Sequence, residues 1–169
     1  MEKNKIKEIV KDTWKECMEG GKEKFYISEE DVLIYVASYE TYKKEGQEVI
    51  SSEAHLSTNP EYRGVVYILK EEVKSEQMLY FILLHEIGHL MNGHEEVSKI
   101  MSLEEDMKRE KEADYYALEK GGFNLKEVSI FLKQIHERFI SCGVKEVSDL
   151  FEEKLRIRLQ NIKEFEKGS

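Results

Sequence analysis

The sequence predicts an α+β fold with a small N-terminal sheet and a helical C-terminal half. Two short apolar runs rich in β-branched residues, at 31–38 and 62–69, read as buried strands. Beyond Ser75 the apolar residues switch to helical spacing, in blocks separated by Asn and Gly. With a single proline (Pro60), no Ser/Gly-rich tract and no internal repeat, the 169 residues read as one domain spanning 1–169.

Each element follows from its local pattern. Residues 4–19 place Ile6, Ile9 or Val10, Trp14, and Cys17 or Met18 on one helical face, and Gly20-Gly21 stops the pattern. Asp31 to Ser38, with Val32, Leu33, Ile34, Tyr35 and Val36, reads as a strand. Glu48 to Ser57 alternates less cleanly, and Tyr62 to Leu69 completes a set of three strands. Gly64 marks a bulge or a close backbone approach. A helix then runs from Ser75, as N-cap, to about Met91, with Asn92-Gly93 at its end. Ser102 and Glu105 form a capping-box pattern that opens another helix, running to Gly121-Gly122. Asn124 caps the next, which carries Leu125, Val128, Leu132, Ile135 and Phe139 along one face and ends at Gly143. The last helix starts near Ser148 and carries Phe151, Leu155, Leu159 and Ile162.

Composition narrows the class of function. Hydrophobic content of 40% beside 36% charged residues suits a soluble globular protein. A net charge of −9 argues against direct nucleic-acid binding, which needs clustered Lys and Arg. The longest apolar run, Met78 to Leu84, is far short of the ~20 residues that span a bilayer. The N-terminus lacks the apolar core of a signal peptide, so a cytoplasmic protein with no membrane partner is expected. Cys17 and Cys142 are far apart and form no C-x-x-C, as expected of free thiols in a reducing compartment.

The decisive motif is His85-Glu86-Ile87-Gly88-His89, an H-E-x-x-H within a strongly apolar helix. At ~100° per residue, positions i and i+4 share a face, so both imidazoles can reach one Zn²⁺ while Glu86 can reach a metal-bound water. Two His and a Glu in a buried helix would each need their desolvation compensated, and one metal ion with its water satisfies all three. The pattern is that of a zinc hydrolase, with one zinc per chain.

A catalytic zinc site normally has three protein ligands. His94 is one candidate for the third, but on a continuous helix it lies about 140° from His89. The metzincin spacing H-E-x-x-H-x-x-G-x-x-H is absent, because Asn92 and Glu95 stand where Gly and His are needed. The other candidate is Glu110-Lys111-Glu112-Ala113-Asp114-Tyr115-Tyr116-Ala117, where Glu110, Ala113, Asp114 and Ala117 share one face. Two alanines flanking two acids can approach another helix closely and aim carboxylates at it. The E-x-x-A-D spacing favours Glu110 as ligand, with Glu112 as fallback and Asp114 accepting the outer N–H of a ligating His. His94 is expected at a helix C-terminus, where the dipole favours a cation. His55 reads as an ordinary polar strand residue. Tyr115, Tyr116, His136 and Arg156 are all candidate oxyanion stabilisers.

The segment Phe81 to His94, preceded by the strand Gly64 to Leu69 and followed by E-x-x-A-D, resembles the ImmA/IrrE family of metallopeptidases. The resemblance covers roughly residues 62–118. It implies a minimal zincin-like domain, with the three-stranded sheet packed on the H-E-x-x-H helix. It also implies His85, His89 and Glu110 as zinc ligands of the gluzincin type and Glu86 as catalytic base. Leu118-Glu119-Lys120-Gly121-Gly122-Phe123 and the late Leu155-Arg156-Ile157-Arg158-Leu159 look more like the HtpX/CaaX-protease family, whose transmembrane or inserted segments this chain lacks. Peptide-bond hydrolysis is implied by either resemblance. The first further implies a regulatory protease whose substrate is a separately encoded helix-turn-helix repressor. The alternative is a catalytically quiet zinc-binding protein that sequesters a regulatory partner.

Overall fold

The computed structural model describes residues 2–20, 24–27, 30–94, 101–141 and 145–168. Helix α1 (Glu2–Glu19) precedes strands β1 (Lys24–Ile27) and β2 (Val32–Ala37), the short helix α2 (Tyr39–Lys44), and strands β3 (Glu53–Leu56) and β4 (Gly64–Leu69). Helices α3 (Glu76–Met91), α4 (Leu103–Gly121), α5 (Leu125–Ile140) and α6 (Lys145–Gly168) follow. The architecture is α+β, and the caps that the sequence signals fall where expected. Ser75 Oγ accepts from Met78 N at the start of α3, and Ser102 Oγ accepts from Glu105 N at the start of α4. Gly122 ends α4 in the left-handed region, at φ +69°. The expected stop at Gly143, like Cys142, lies outside the described residues. Helix α6 starts at Lys145 rather than near Ser148.

The sheet has a fourth strand beyond the three read from sequence. Its order is β1-β2-β4-β3, with β2 and β4 parallel in the centre and β1 and β3 antiparallel at the edges. Lys24-Phe25-Tyr26-Ile27 alternates exposed and buried, but four residues are too few to announce a strand, and its partner β2 supplies the order. Helix α2 also escapes a periodicity search. It is one and a half turns long, capped by Ser38 and anchored by Tyr42, whose buried hydroxyl donates to Ile68 O at 2.8 Å.

Helix α3 occupies the centre. Every residue from Met78 to Gly88 is buried, so the helix has no solvent face to give it an amphipathic period. Its apolar residues share a core with Val32, Ile34 and Val36 of β2, Val66 and Ile68 of β4, and Val10 of α1. Its opposite side meets α4, itself packed on α6. Two glycines set these contacts. At Gly64, a Cβ would come within 2.5 Å of Leu90 Cδ2 and 2.7 Å of His55 O, which is the close approach the sequence suggests. At Gly88, inside the motif, a Cβ would lie 2.9 Å from Tyr116 Cβ and 3.0 Å from Ala113 O. Gly88, Ala113 and Ala117 therefore let α3 and α4 approach backbone to backbone, with both alanines fully buried.

Gly88→Ala forces the two helices apart. It should destabilise the fold by about 1–3 kcal/mol, the range for overpacking a tight core, in spite of alanine's better helix propensity. Urea unfolding of wild type and variant measures the difference, and an unchanged or raised midpoint would contradict the close-approach argument.

Candidate metal centre

The one-turn spacing of His85 and His89 on α3 brings their Nε2 atoms within 3.1 Å of each other. Glu110 reaches in from α4, with Oε1 3.0 Å from His89 Nε2 and Oε2 3.5 Å from His85 Nε2. Among the described residues these three form a group that could hold a metal ion, with ligand atoms all within 4.8 Å of one another. The donor set can be tested against zinc directly. Atoms ~2.0–2.1 Å from a tetrahedral zinc stand roughly 3.3 Å apart; the two Nε2 atoms at 3.1 Å, and the two Glu110 oxygens at 3.0 Å (Oε1 to His89) and 3.5 Å (Oε2 to His85), lie near that value. Two imidazoles and one carboxylate suit zinc chemically and leave a coordination position open.

The outer nitrogens of both histidines are engaged. His85 Nδ1 lies 2.8 Å from Asp114 Oδ1, one turn along α4 from Glu110. Asp114 is fully buried and is gripped by Arg158 of α6, whose Nη2 and Nε donate to its two oxygens at 2.7 and 2.9 Å. Arg158 Nη1 also stands 3.5 Å from Glu110 Oε2. His89 Nδ1 lies 2.8 Å from His94 Nδ1, and His94 Nε2 lies 3.3 Å from Glu112 Oε2. Glu86 is buried beside the trio, with Oε1 3.9 Å from His85 Nε2.

Burial and charge set the protonation states. Burial opposes charge on His85, but the Glu110 and Asp114 carboxylates outweigh it and raise its pKa from 6.5 to about 10 in the metal-free protein. Burial also opposes the ionised forms of Glu110 and Asp114. The cations His85 and Arg158 overcome that cost and hold both acids below the ordinary carboxylate range. For Glu86 burial dominates and pushes its pKa to about 7, against the partial offset of His85 and His89. Burial and the neighbouring His89 lower the pKa of His94.

The structure thus brings His85, Glu86, His89, Glu110 and Asp114 into one cluster, and it corrects several other readings. His94 does lie just past the C-terminus of α3, but its ring folds back onto His89 and its pKa is lowered, so it does not stand there as a dipole-favoured cation. Glu112, the fallback ligand, is not in the metal group and turns to His94 instead. Among the oxyanion candidates, Arg156 is exposed and paired with Glu153, and Tyr115 spends its hydroxyl on Asn161 O. Tyr116 packs its Cβ against Gly88. His136 borders a separate cavity of about 430 Å³ that also touches Glu110 and Arg158. The important residue missed from sequence is Arg158. A signal was present: Arg158 falls three after Leu155 and four before Ile162, on the apolar face of α6, where a cation needs a buried anion.

The cleft beside the cluster, about 310 Å³, is lined by Glu86, His89, His94 and Glu110, and by Ala54 and His55 of β3. Glu72, buried and accepting from Ser51 Oγ at 2.6 Å and Ser52 N at 3.2 Å, secures the chain entering that strand. The packed pair α3–α4 thus presents, at the wall of this cleft, a group that could hold a metal ion. Residues 74–128, from just before α3 into α5, match the family model described as Peptidase U49. The match supports assignment to a peptidase family and therefore a protein or peptide substrate. The match supports a peptidase family but neither the ImmA/IrrE nor the HtpX/CaaX-protease resemblance specifically. No curated protein and no solved structure matches the chain. Among the described residues, no helix is long and apolar enough to cross a membrane.

Two outcomes follow from the charge cluster. Arg158→Leu removes the two-pronged partner of buried Asp114, leaving it His85, and should cost about 3–5 kcal/mol, as expected when one partner of a buried pair is removed. A loss under 1 kcal/mol in denaturant unfolding would contradict the pairing. The metal-free protein should be most stable at mildly acidic pH. Glu110 and Asp114, with lowered pKa values, lose their contribution as pH falls below the ordinary 4.5 and 3.8. His85, with its raised pKa, loses its contribution as pH rises from 6.5 through about 10, and the raised Glu86 costs stability as pH rises from 4.5 through about 7. Tm measured against pH in the presence of chelator checks the profile. A maximum above pH 8 would contradict it.

Proposed function

We propose that the chain is a zinc-dependent peptidase in which His85, His89 and Glu110 hold one zinc ion and Glu86 is the general base. The observation that carries this reading is the convergence of the two Nε2 atoms and the Glu110 carboxylate at zinc-like separations, with the buried Glu86 alongside. A zinc ion bound there would supply Lewis acidity, lowering the pKa of a water from 15.7 toward ~7. Burial keeps Glu86 basic enough to take a proton from the attacking water. As the water oxygen bonds to the scissile carbonyl carbon and the C–N bond breaks, Glu86 returns that proton to the leaving amine. Asp114 holds the outer nitrogen of His85 and so keeps the inner nitrogen free to ligate.

The cleft suits an extended peptide. Strand β3 is at the sheet edge, and its residues Glu53, Ala54 and His55 line the cleft. A substrate main chain can add to that edge while its scissile bond lies over Glu86. The resemblance of residues 62–118 to the ImmA/IrrE family supports narrowing the substrate to a separately encoded helix-turn-helix repressor, an inference by analogy.

Purified without chelator, the protein should carry one zinc per chain. His85→Ala, His89→Ala and Glu110→Ala should each lose it. Glu86→Gln should keep the metal and the fold while eliminating proteolysis, because it removes proton transfer alone. Metal analysis and co-expression with an adjacent helix-turn-helix regulator test both parts. Cleavage that persists in Glu86→Gln, or a tight uncut complex with the wild type, would sink the peptidase reading in favour of a sequestering one.

A further inference from the structure

The two histidines of the cluster are braced in different ways. His85 meets a carboxylate directly, whereas His89 meets a second imidazole, and the carboxylate stands one ring further out. We propose that His94 and Glu112 form a positioning relay for His89: Glu112 fixes the tautomer of a neutral His94, and His94 fixes the tautomer of His89. The proposal rests on the metal-site reading above.

The backbone makes the relay possible. On an uninterrupted helix, His94 would lie about 140° around from His89 and could not touch it. Instead α3 ends at Asn92, and Gly93 turns the chain at φ +68°. His94 N then donates to His89 O at 2.9 Å, which brings the His94 ring back against the His89 ring. Glu112 comes from α4, two residues past Glu110, so one helix delivers both a ligand and the end of the relay.

Counting protons leaves one arrangement. His89 Nε2 faces the other two ligand atoms, at 3.0 and 3.1 Å, and must offer its lone pair to a metal. Its proton therefore sits on Nδ1, 2.8 Å from His94 Nδ1. Two N–H groups cannot meet head to head at that distance, so His94 Nδ1 is an acceptor and its own proton is on Nε2. That nitrogen faces Glu112 Oε2 at 3.3 Å, which can only accept. Every donor in the chain then meets an acceptor, and either ring in its other tautomer breaks the sequence. Glu86, Glu110 and Asp114 already bring three carboxylates to the cluster. The interposed imidazole orients His89 while holding a fourth negative charge one ring away.

The test uses the full-length chain loaded with zinc, with affinity measured by chelator competition. His94→Ala should weaken zinc binding by ~10–100-fold, the usual loss for a partner of a ligating histidine. His94→Asn, whose amide oxygen can accept from His89 Nδ1–H, should recover most of that loss. Glu112→Ala should weaken zinc binding in the wild-type background and have little effect in the His94→Asn background. Nitrogen-15 NMR of the zinc-loaded wild type should show His94 protonated on Nε2 and bare on Nδ1, an observation that needs no variant to fold. His94 protonated on Nδ1, wild-type affinity in His94→Ala, or no recovery in His94→Asn would overturn the relay alone. A wild type that binds no zinc would overturn both the relay and the metal site beneath it.

Discussion

The site depends on how closely two helix backbones can approach. Gly88 carries no side chain, and Ala113 and Ala117 carry little, so α4 lies directly against the motif turn of α3. At this separation the short reach of a glutamate and an aspartate suffices. Glu110 meets the inner nitrogens of the two histidines, and Asp114 meets the outer nitrogen of His85. A larger residue at the contact would move both carboxylates together, because they stand on one face one turn apart. Packing and chemistry are thus one constraint. The small residues fix the distance, and the distance permits the donor set.

The second constraint is charge. Helix α3 is buried so completely that its ionisable groups have little water to solvate them. The fold answers with a lattice of mutual partners. Asp114 sits between His85 and Arg158, Arg158 extends to Glu110, and His94 links His89 to Glu112. Glu86 stands apart from this pairing. It has His85 near but gains too little from it to offset burial, and it keeps a raised pKa. A carboxylate left basic among carboxylates held ionised is what the proposed role of Glu86 as general base requires.

To the His85, His89 and Glu110 group itself the sheet contributes position rather than ligand atoms. Its central parallel pair carries the apolar residues that seat α3, and its edge strand β3 is left beside the cleft. Gly64 lets β4 sit close to Leu90 near the end of α3, which holds that end of the helix against the sheet. A peptide added to the β3 edge would extend a sheet already locked to the motif helix.

Sequence alone determined whatever is encoded within one turn or one strand. The H-E-x-x-H face, the E-x-x-A-D face, the caps at Ser75, Ser102 and Gly122, and the two central strands are local patterns, and each was legible in its own segment. Glu110 and Asp114 could be picked out because spacing placed them on one face with two alanines. Strand β1 and helix α2 are too short for a period to emerge, and their order comes from partners distant in sequence. Arg158, 44 residues beyond Asp114, could not be joined to it by any local rule, although its place on an apolar face was readable. The sharpest case is His94. On a helical wheel it points away from His89, and a single left-handed glycine brings it back. Periodicity reports direction only while the helix continues. Where the backbone turns, side-chain partners are decided by tertiary contact.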